Sequence, residues 1–260
     1  MLNNIDKNEI ARKKYLEKWS LNATQHLEEG EYEWICSFIK EYVCILEIGC
    51  GTGDSTRVFA TLGHKLLSID NSDIAIKKAE GILEEYDFDF EKVVSPIDFS
   101  DNDVLLWNAD IVEHKDIIIE SIKRLEIDLV LLCNPGGNPN AFLSENECKI
   151  LMKYGFSEEY IRSQLKKKNK TALDYFHKTA IIYASIDVSI ECDKPFLLID
   201  RGSIEDVDEG FDEITRFSGL RLIEYEYRKI KEPPKEGIKL INIESKKEEN
   251  YYWKLGLFIT

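Results

Sequence analysis

Three glycines alternate in Ile45-Leu46-Glu47-Ile48-Gly49-Cys50-Gly51-Thr52-Gly53, directly after an apolar run that starts at Val43. Glycine lacks a Cβ and tolerates positive φ, so this run lets the backbone turn tightly and pass close to a ligand. A dinucleotide site would place its third small residue three positions after the second glycine, with the pyrophosphate on the helix N-terminus. Here the third glycine comes one position early and Asp54 follows it, where a carboxylate would repel a pyrophosphate. A nicotinamide-dependent oxidoreductase is therefore the poorer reading. No Gly-Lys-Ser/Thr completes a phosphate loop either. A ligand with positive charge and no phosphate suits the turn better. Asp70, Asn71, Asp110 and Asn134 are further polar residues that follow or end apolar runs.

These residues need a scaffold, and the apolar spacing supplies one. Residues 43–48 have the pattern of a buried parallel strand. The pattern predicts a helix over 55–62, a strand over 65–70 and a helix over 72–85 whose inward stripe holds Ile74, Ala75, Ala79, Ile82 and Leu83. A third strand is expected at 104–107, a helix at 113–125, a fourth strand at 128–133 and a fifth at 195–200. Val93-Val94 is a candidate for a short extra strand. Between strands four and five lie about sixty residues, where a parallel crossover needs only a dozen or so. They read as helices over 144–154, with Ser144 as N-cap, 157–168 and 171–189. Two final strands, 220–228 and 251–259, flank a charged loop, 231–250, that carries Pro233-Pro234 and shows no crossover helix, so they are expected to be antiparallel. Residues 5–41 read as helical with a break near Gly30.

The order of elements predicts a doubly wound, mostly parallel α/β sheet of seven strands, with a helical N-terminal extension and a helical insertion between strands four and five. The expected organisation is a helical cap over 1–41 and a main domain over 42–260 with its insertion at about 136–190. Ligands in such sheets bind at the carboxyl ends of the strands, which places Glu47 to Asp54, Asp70, Asp110 and Asn134 along one rim.

Composition narrows the partners. No apolar run is long enough to span a bilayer, and residues 1–14 lack the apolar core of a signal peptide, so the expected location is the cytoplasm. Six cysteines form no C-x-x-C pair and the four histidines do not cluster with them; no metal site is expected, and the thiols read as small buried side chains. A net charge of -15 disfavours sequence-independent binding to nucleic acid. The compact basic run Lys166-Lys167-Lys168-Asn169-Lys170 is either a solvated helix end or a phosphate contact.

The stretch from Val43 to Asp70 resembles the first two motifs of class I S-adenosylmethionine-dependent methyltransferases, and the expected topology is similar to theirs over about residues 40–260. The resemblance implies roles for particular residues. Glu47 would meet the methionine end of the cofactor. Gly49, Gly51 and Gly53, with Cys50 between them, would pack their backbone on its methionine and ribose parts. Asp70 would accept from the ribose hydroxyls, Asn71 would touch the adenine, and Asp110 with the Ile111 N–H would read the adenine edge. Asp98-Phe99 competes with Asp110-Ile111 for that last role. Cys133-Asn134-Pro135-Gly136-Gly137 matches, in its Asn134-Pro135, the Asn-Pro-Pro-aromatic motif with which relatives hold an amine; the two glycines depart from it. Asn134 would then touch the cofactor's reactive end and orient an acceptor, or Asn134-Pro135 simply turns the chain out of the strand.

The resemblance implies methyl transfer, and the expected acceptor is a small molecule, with nitrogen as one option, held under the helical cap. Aromatic residues able to wall its pocket are Tyr15, Trp19, Tyr32, Trp34, Phe142, Tyr154, Tyr160, Tyr175 and Phe176. Two other readings stay open: an RNA methyltransferase that uses the Lys166 to Lys170 run, and a cofactor-binding partner protein without transferase activity. No base is assigned, since a lone histidine such as His177 is more often structural than catalytic.

Overall fold

The computed structural model describes residues 2–95, 99, 102–136, 142–202, 204–230 and 252–260. Two helices lead in, α1 (Leu2–Glu28) and α2 (Glu31–Ile39), and the break between them is Gly30 in a left-handed conformation. Then follow β1 (Cys44–Ile48), α3 (Asp54–Thr61), β2 (Lys65–Asp70), α4 (Asp73–Glu85), β3 (Phe90–Val93), β4 (Val104–Asn108), α5 (Lys115–Arg124) and β5 (Leu129–Cys133). The chain continues through α6 (Glu145–Lys153), α7 (Glu158–Lys167), α8 (Lys170–Cys192), β6 (Phe196–Gly202), α9 (Ile204–Ser218), β7 (Arg221–Lys229) and β8 (Tyr252–Ile259).

The strands form one sheet in the order β3-β4-β2-β1-β5-β6-β8-β7. All neighbours from β3 to β6 are parallel, while β8 runs antiparallel to both β6 and β7. The sheet has eight strands rather than the expected seven, because Phe90–Val93 pairs with β4 at the edge. Alternation along the strands divides the core into two layers. Leu46, Leu67, Leu105 and Val130 pack towards α5 and α8, whereas Ile45, Leu66, Val104 and Leu129 pack towards α2, α3 and α4. Both faces are covered, which is why the central strands read as unbroken apolar runs.

Helix α9 carries no expectation from the sequence pattern. It lies between β6 and β7 and buries Phe211 and Ile214 against Phe258 and its neighbours. The loop with Pro233-Pro234 lies outside the described residues.

The long β5–β6 connection is a crossover helix with an extra helical pair docked on it. The second half of α8, from Tyr183 to Val188, joins the main core. Its first half packs Phe176 and Ala180 on Leu151 of α6 and Ile161 of α7, a separate small core. A full capping box at Ser144 and Glu147 starts α6, and Ser157 caps α7. Asp187 of α8 fastens the pair by accepting hydrogen bonds from Lys153 and the Tyr154 hydroxyl, and Tyr154 stacks on Tyr183. Burial and the Asp187 bond push the Tyr154 phenol well up from its ordinary range.

Gly53 sets how closely α3 and α4 approach. It has φ +88, and a Cβ there would lie 2.7 Å from Ala79 Cα and 2.8 Å from Ala79 Cβ. Gly49 has φ +78 but nothing within 4 Å of an added Cβ. Gly53→Ala is therefore expected to cost about 2–4 kcal/mol in urea denaturation, through strain and overpacking together. Gly49→Ala should cost only about 1–2 kcal/mol, from its left-handed backbone alone.

Candidate functional site

A cavity opens at the carboxyl ends of β1, β2, β4 and β5, with about 1160 Å³ of space, part of it open to solvent. Its floor is the glycine turn and the strand ends, and Tyr15 and Trp19 of α1 with Glu147 of α6 and His177 of α8 complete its walls. This is the place where a parallel α/β sheet offers loops and backbone N–H groups to a ligand.

Asp70 ends β2 and joins two loops. Its Oδ2 accepts from the Gly51 N–H at 3.1 Å and its Oδ1 from the Ser72 N–H at 2.8 Å. Ser72 in turn caps α4 by accepting from the Ala75 N–H. The glycine turn is held to β2 as well, since the Gly49 and Cys50 N–H groups both donate to the Ile69 carbonyl. Burial lifts the Asp70 carboxyl from the ordinary 3.8 to about 6; the two N–H donors oppose this, and the Asp110 and Glu47 charges add to it.

Glu47, Cys50 and Gly53 do not line the cavity. The Glu47 carboxylate is fully buried and accepts from three hydroxyls, Ser55 at 2.5 Å, Thr56 at 2.6 Å and Ser68 at 2.7 Å. Burial raises its pKa and the three hydroxyls pull it back. It thus ties β1 to α3 and β2 from behind the turn, rather than reaching towards the methionine end of a cofactor as the resemblance implies. Cys50 is buried in the α2–α3 layer, and its thiol is pushed well up by desolvation. Gly49 and Gly51 do reach the cavity. A Cβ on Gly51 would come within 3.1 Å of Trp19 Nε1, so α1 lies close over the turn.

On the β2–β4 side, Asn71, Asp110 and Ile111 all line the cavity. Asn71 Nδ2 donates to Asp110 Oδ2 at 3.0 Å. Asp110 Oδ1 accepts from the Val112 N–H at 2.8 Å and the Glu113 N–H at 3.3 Å, which fixes the turn after β4. Asp98 lies outside the described residues, and its neighbour Phe99 packs in the core.

At the end of β5, Asn134 has φ 51 and is buried. Its Oδ1 accepts from Arg201 Nε at 2.7 Å, which leaves the Nδ2 donor without a partner among the described residues. The side chain therefore offers a ligand an N–H first, which suits an oxygen better than the amine that the Asn-Pro motif suggests. Arg201 follows Asp200 on β6 and was not singled out by any sequence pattern. Its guanidinium lies between the Trp19 ring, 5.0 Å away, and the Trp253 ring, 5.4 Å away. Gly136 stands where the motif has a second proline; a Cβ there would lie 2.9 Å from the Tyr15 hydroxyl, so α1 occupies that space. Gly137 lies outside the described residues.

His177 and Glu147 are the other cavity groups that sequence pattern alone does not bring together. His177 Nδ1 lies 2.5 Å from Glu147 Oε1, and Glu147 Oε2 accepts from the Ser144 N–H. Of the aromatic candidates, only Tyr15 and Trp19 line the cavity. Tyr32 meets Phe59 edge-on, Trp34 meets Phe38, and Phe176 sits among Phe156, Tyr160 and Tyr175. Tyr154 stacks on Tyr183, and Phe142 is exposed. The Lys166 to Lys170 run is exposed where α7 meets α8 and lines no part of the cavity. All six cysteines are free thiols, and no cluster that could hold a metal ion exists among the described residues. Nor is any described helix long and apolar enough to cross a membrane.

No protein-family model matches this chain, and no curated protein matches it in sequence. Solved structures do match. A protein of Pyrococcus horikoshii described as a candidate RNA methyltransferase superimposes with a TM-score of 0.50 at 13% identity, covering 89% of this chain and 83% of its own. The methyltransferase domain of bacterial CtHen1 gives 0.49 at 10% identity, over 90% of this chain and 100% of its own. The N-methyltransferase NodS of Bradyrhizobium japonicum, solved with S-adenosylhomocysteine, gives 0.47 at 13% identity, over 90% and 87%. The chain has the Rossmann-like fold of the class I methyltransferases, with an extra edge strand.

The lifted Asp70 carboxyl makes a prediction for the ligand-free protein. A carboxyl with a raised folded-state pKa costs nothing below the unfolded value, and its full cost is present above the folded one. That window runs from 3.8 to about 6. The stability of Asp70→Asn minus that of wild type should therefore grow by up to about 3 kcal/mol between pH 4 and pH 6.5. Urea denaturation across that range measures it; a constant difference would contradict the assigned burial.

Proposed function

We propose that this chain is an S-adenosylmethionine-dependent methyltransferase that acts on a small acceptor in the cavity. The observation that carries the reading is the pairing of a glycine turn that suits no phosphate with two carboxylates, Asp70 and Asp110, at the ends of neighbouring strands. A ribose gains its strongest bonds by donating to a carboxylate, and a carboxylate has room for donors beyond the two that Asp70 already accepts. Asp70 would hold the ribose hydroxyls, Asn71 would face the adenine, and Asp110 with the Ile111 N–H would read its edge. Gly49 and Gly51 leave the backbone open for the remainder, next to Asn134. When bound, the cofactor supplies an electrophilic methyl on a sulfonium, and its positive charge suits acidic walls.

For this chemistry the protein aligns the acceptor, excludes water and, where needed, removes a proton. Tyr15 and Trp19 from the N-terminal cap, residues 1–41, and Glu147 and His177 from the insertion, residues 136–190, enclose the space in which an acceptor would lie. His177, oriented by Glu147, is the group best suited to take the acceptor's proton. A net charge of -15 supports a small molecule over RNA, and the basic run lines no part of the pocket.

Calorimetric titration with S-adenosylmethionine and S-adenosylhomocysteine tests the reading, with NAD as control. Micromolar binding is expected at pH 7.5, weakened at least tenfold by Asp70→Ala; NAD binding in its place would overturn the proposal. Because the ribose hydroxyls favour the ionised carboxylate, whose folded-state pKa is about 6, affinity should fall roughly tenfold from pH 7.5 to pH 5 in wild type only. His177→Gln should leave the homocysteine product's affinity within about threefold. It should slow transfer of labelled methyl to the acceptor by roughly 10²–10⁴.

A further inference from the structure

The wall of the cavity at the ends of β5 and β6 contains a cation with no carboxylate paired to it among the described residues. Arg201 donates through Nε to the neutral amide of Asn134, and its Nη1 is buried with no partner among the described residues. Asn134 Nδ2, on the other side of that same bond, is also buried and without a partner there. The nearest carboxylate along the chain, Asp200, is already engaged: it accepts from Lys178 Nζ at 2.7 Å and from the Arg201 N–H. Trp253 lies opposite Arg201 in the β6–β8 pairing, and Trp19 covers the guanidinium from α1.

Two buried donors left open are costly, and a charged one more so. Both belong to one pair of side chains, joined by the Arg201 Nε–H bond to Asn134 Oδ1, which also fixes which end of the amide is the donor. A guanidinium N–H and a carboxamide N–H are both donors that a carboxylate oxygen accepts from, and the guanidinium supplies the opposite charge. Apart from Arg201, the charged residues that line the cavity, Asp70, Asp110 and Glu147, are acidic. In a chain of net charge -15, nothing but a local cation would draw an anion here.

We propose that Arg201 and Asn134 form an anion subsite that holds a carboxylate group of the methyl acceptor, so that the substrate is a small carboxylic acid. This rests on the methyltransferase reading above. The subsite fixes one end of the acceptor against β5 and β6, and His177 approaches from α8, one helix position before the Lys178 that anchors Asp200. Trp19 covers the guanidinium from α1, and the Tyr15 hydroxyl lies close to Gly136 beside it. A positively charged or purely amine acceptor would leave both donors open and is selected against.

The test titrates benzoate, benzamide and inorganic phosphate into protein saturated with S-adenosylhomocysteine, and reads intrinsic tryptophan fluorescence, to which Trp19 and Trp253 report. Saturating the cofactor site first occupies any subsite that serves the cofactor's own carboxylate. Saturable binding of benzoate, at least tenfold tighter than benzamide and phosphate, is expected. It should be lost in Arg201→Met and in Asn134→Asp. Asp tolerates the backbone of position 134 and places an internal carboxylate on Arg201, so that variant should stay folded while its subsite is filled. Thermal melting confirms that each variant is folded, and 5′-methylthioadenosine affinity that its nucleoside site is intact. No saturable benzoate binding in the wild type overturns the subsite. If Arg201→Met weakens the homocysteine product but not 5′-methylthioadenosine, which lacks the amino-acid tail, the guanidinium serves the cofactor and the proposal is equally overturned. Preferred phosphate binding would replace the carboxylic acid with a phosphorylated acceptor and overturn the assigned class. Failure of wild type to bind the homocysteine product at all would count against the methyltransferase reading. The benzoate titration without it would still decide the subsite.

Discussion

One half-buried carboxylate, Asp70, receives a backbone N–H from each of two loops: Gly51 in the turn after β1, and Ser72 at the start of α4. A buried carboxylate keeps its charge only where donors surround it. Those two N–H groups are therefore what permits ionisation there, and their positions depend on the glycine turn. The turn in turn hangs from the Ile69 carbonyl through the Gly49 and Cys50 N–H groups. Behind it, the Glu47 carboxylate gathers hydroxyls from α3 and β2. Three layers of polar bonding thus fix one loop, and the loop defines the cavity floor. A displaced turn would leave Asp70 and Glu47 without donors, so the apolar core of the sheet and the polar site stand or fall together.

The cavity is electrically divided. Asp70 and Asp110 lie on its β2–β4 side, and Arg201 lies on its β5–β6 side. In the proposed function this division has a use: the cationic cofactor rests on the acidic side, and an acidic acceptor is drawn to the basic one. The two are then presented to each other across the end of β5. The cap elements take part in both halves, since Trp19 contacts the glycine turn and the Arg201 guanidinium alike.

Much of the scaffold was legible in the sequence because the parallel strands β1, β2, β4, β5 and β6, covered on both faces, are largely apolar, while the antiparallel β7 and β8 were marked by the charged loop between them. Strands β1, β2, β4, β5, β6, β7 and β8 fall where the apolar runs place them, and Ser144 caps the helix it was expected to cap. The edge strand β3 was harder to see, since its residues are half exposed or exposed and it borders only one neighbour. Helix α9 escaped because Gly202 and Gly210 interrupt an acidic stretch, and only tertiary contact shows Phe211 and Ile214 to be one buried stripe. At the site, Asp70 and the two glycines of the turn that line the cavity could be found from pattern because local geometry demands them. Glu47 could not be placed, since the pattern is silent on which way a strand-end side chain faces. His177 meets Glu147 across 30 residues and Arg201 meets Asn134 across 67, separations that only the fold brings together. A cation at the end of an apolar strand, next to the expected rim, was the one signal in the sequence for Arg201.

The most direct measurement is a crystal structure of the protein with S-adenosylhomocysteine. The account predicts both ribose hydroxyls within hydrogen-bond distance of the Asp70 carboxylate, the adenine against Asn71 and Asp110, and the sulfur turned towards the space between Asn134 and His177. A ligand seated outside the cavity, or one inside it with its ribose away from Asp70, would contradict the account.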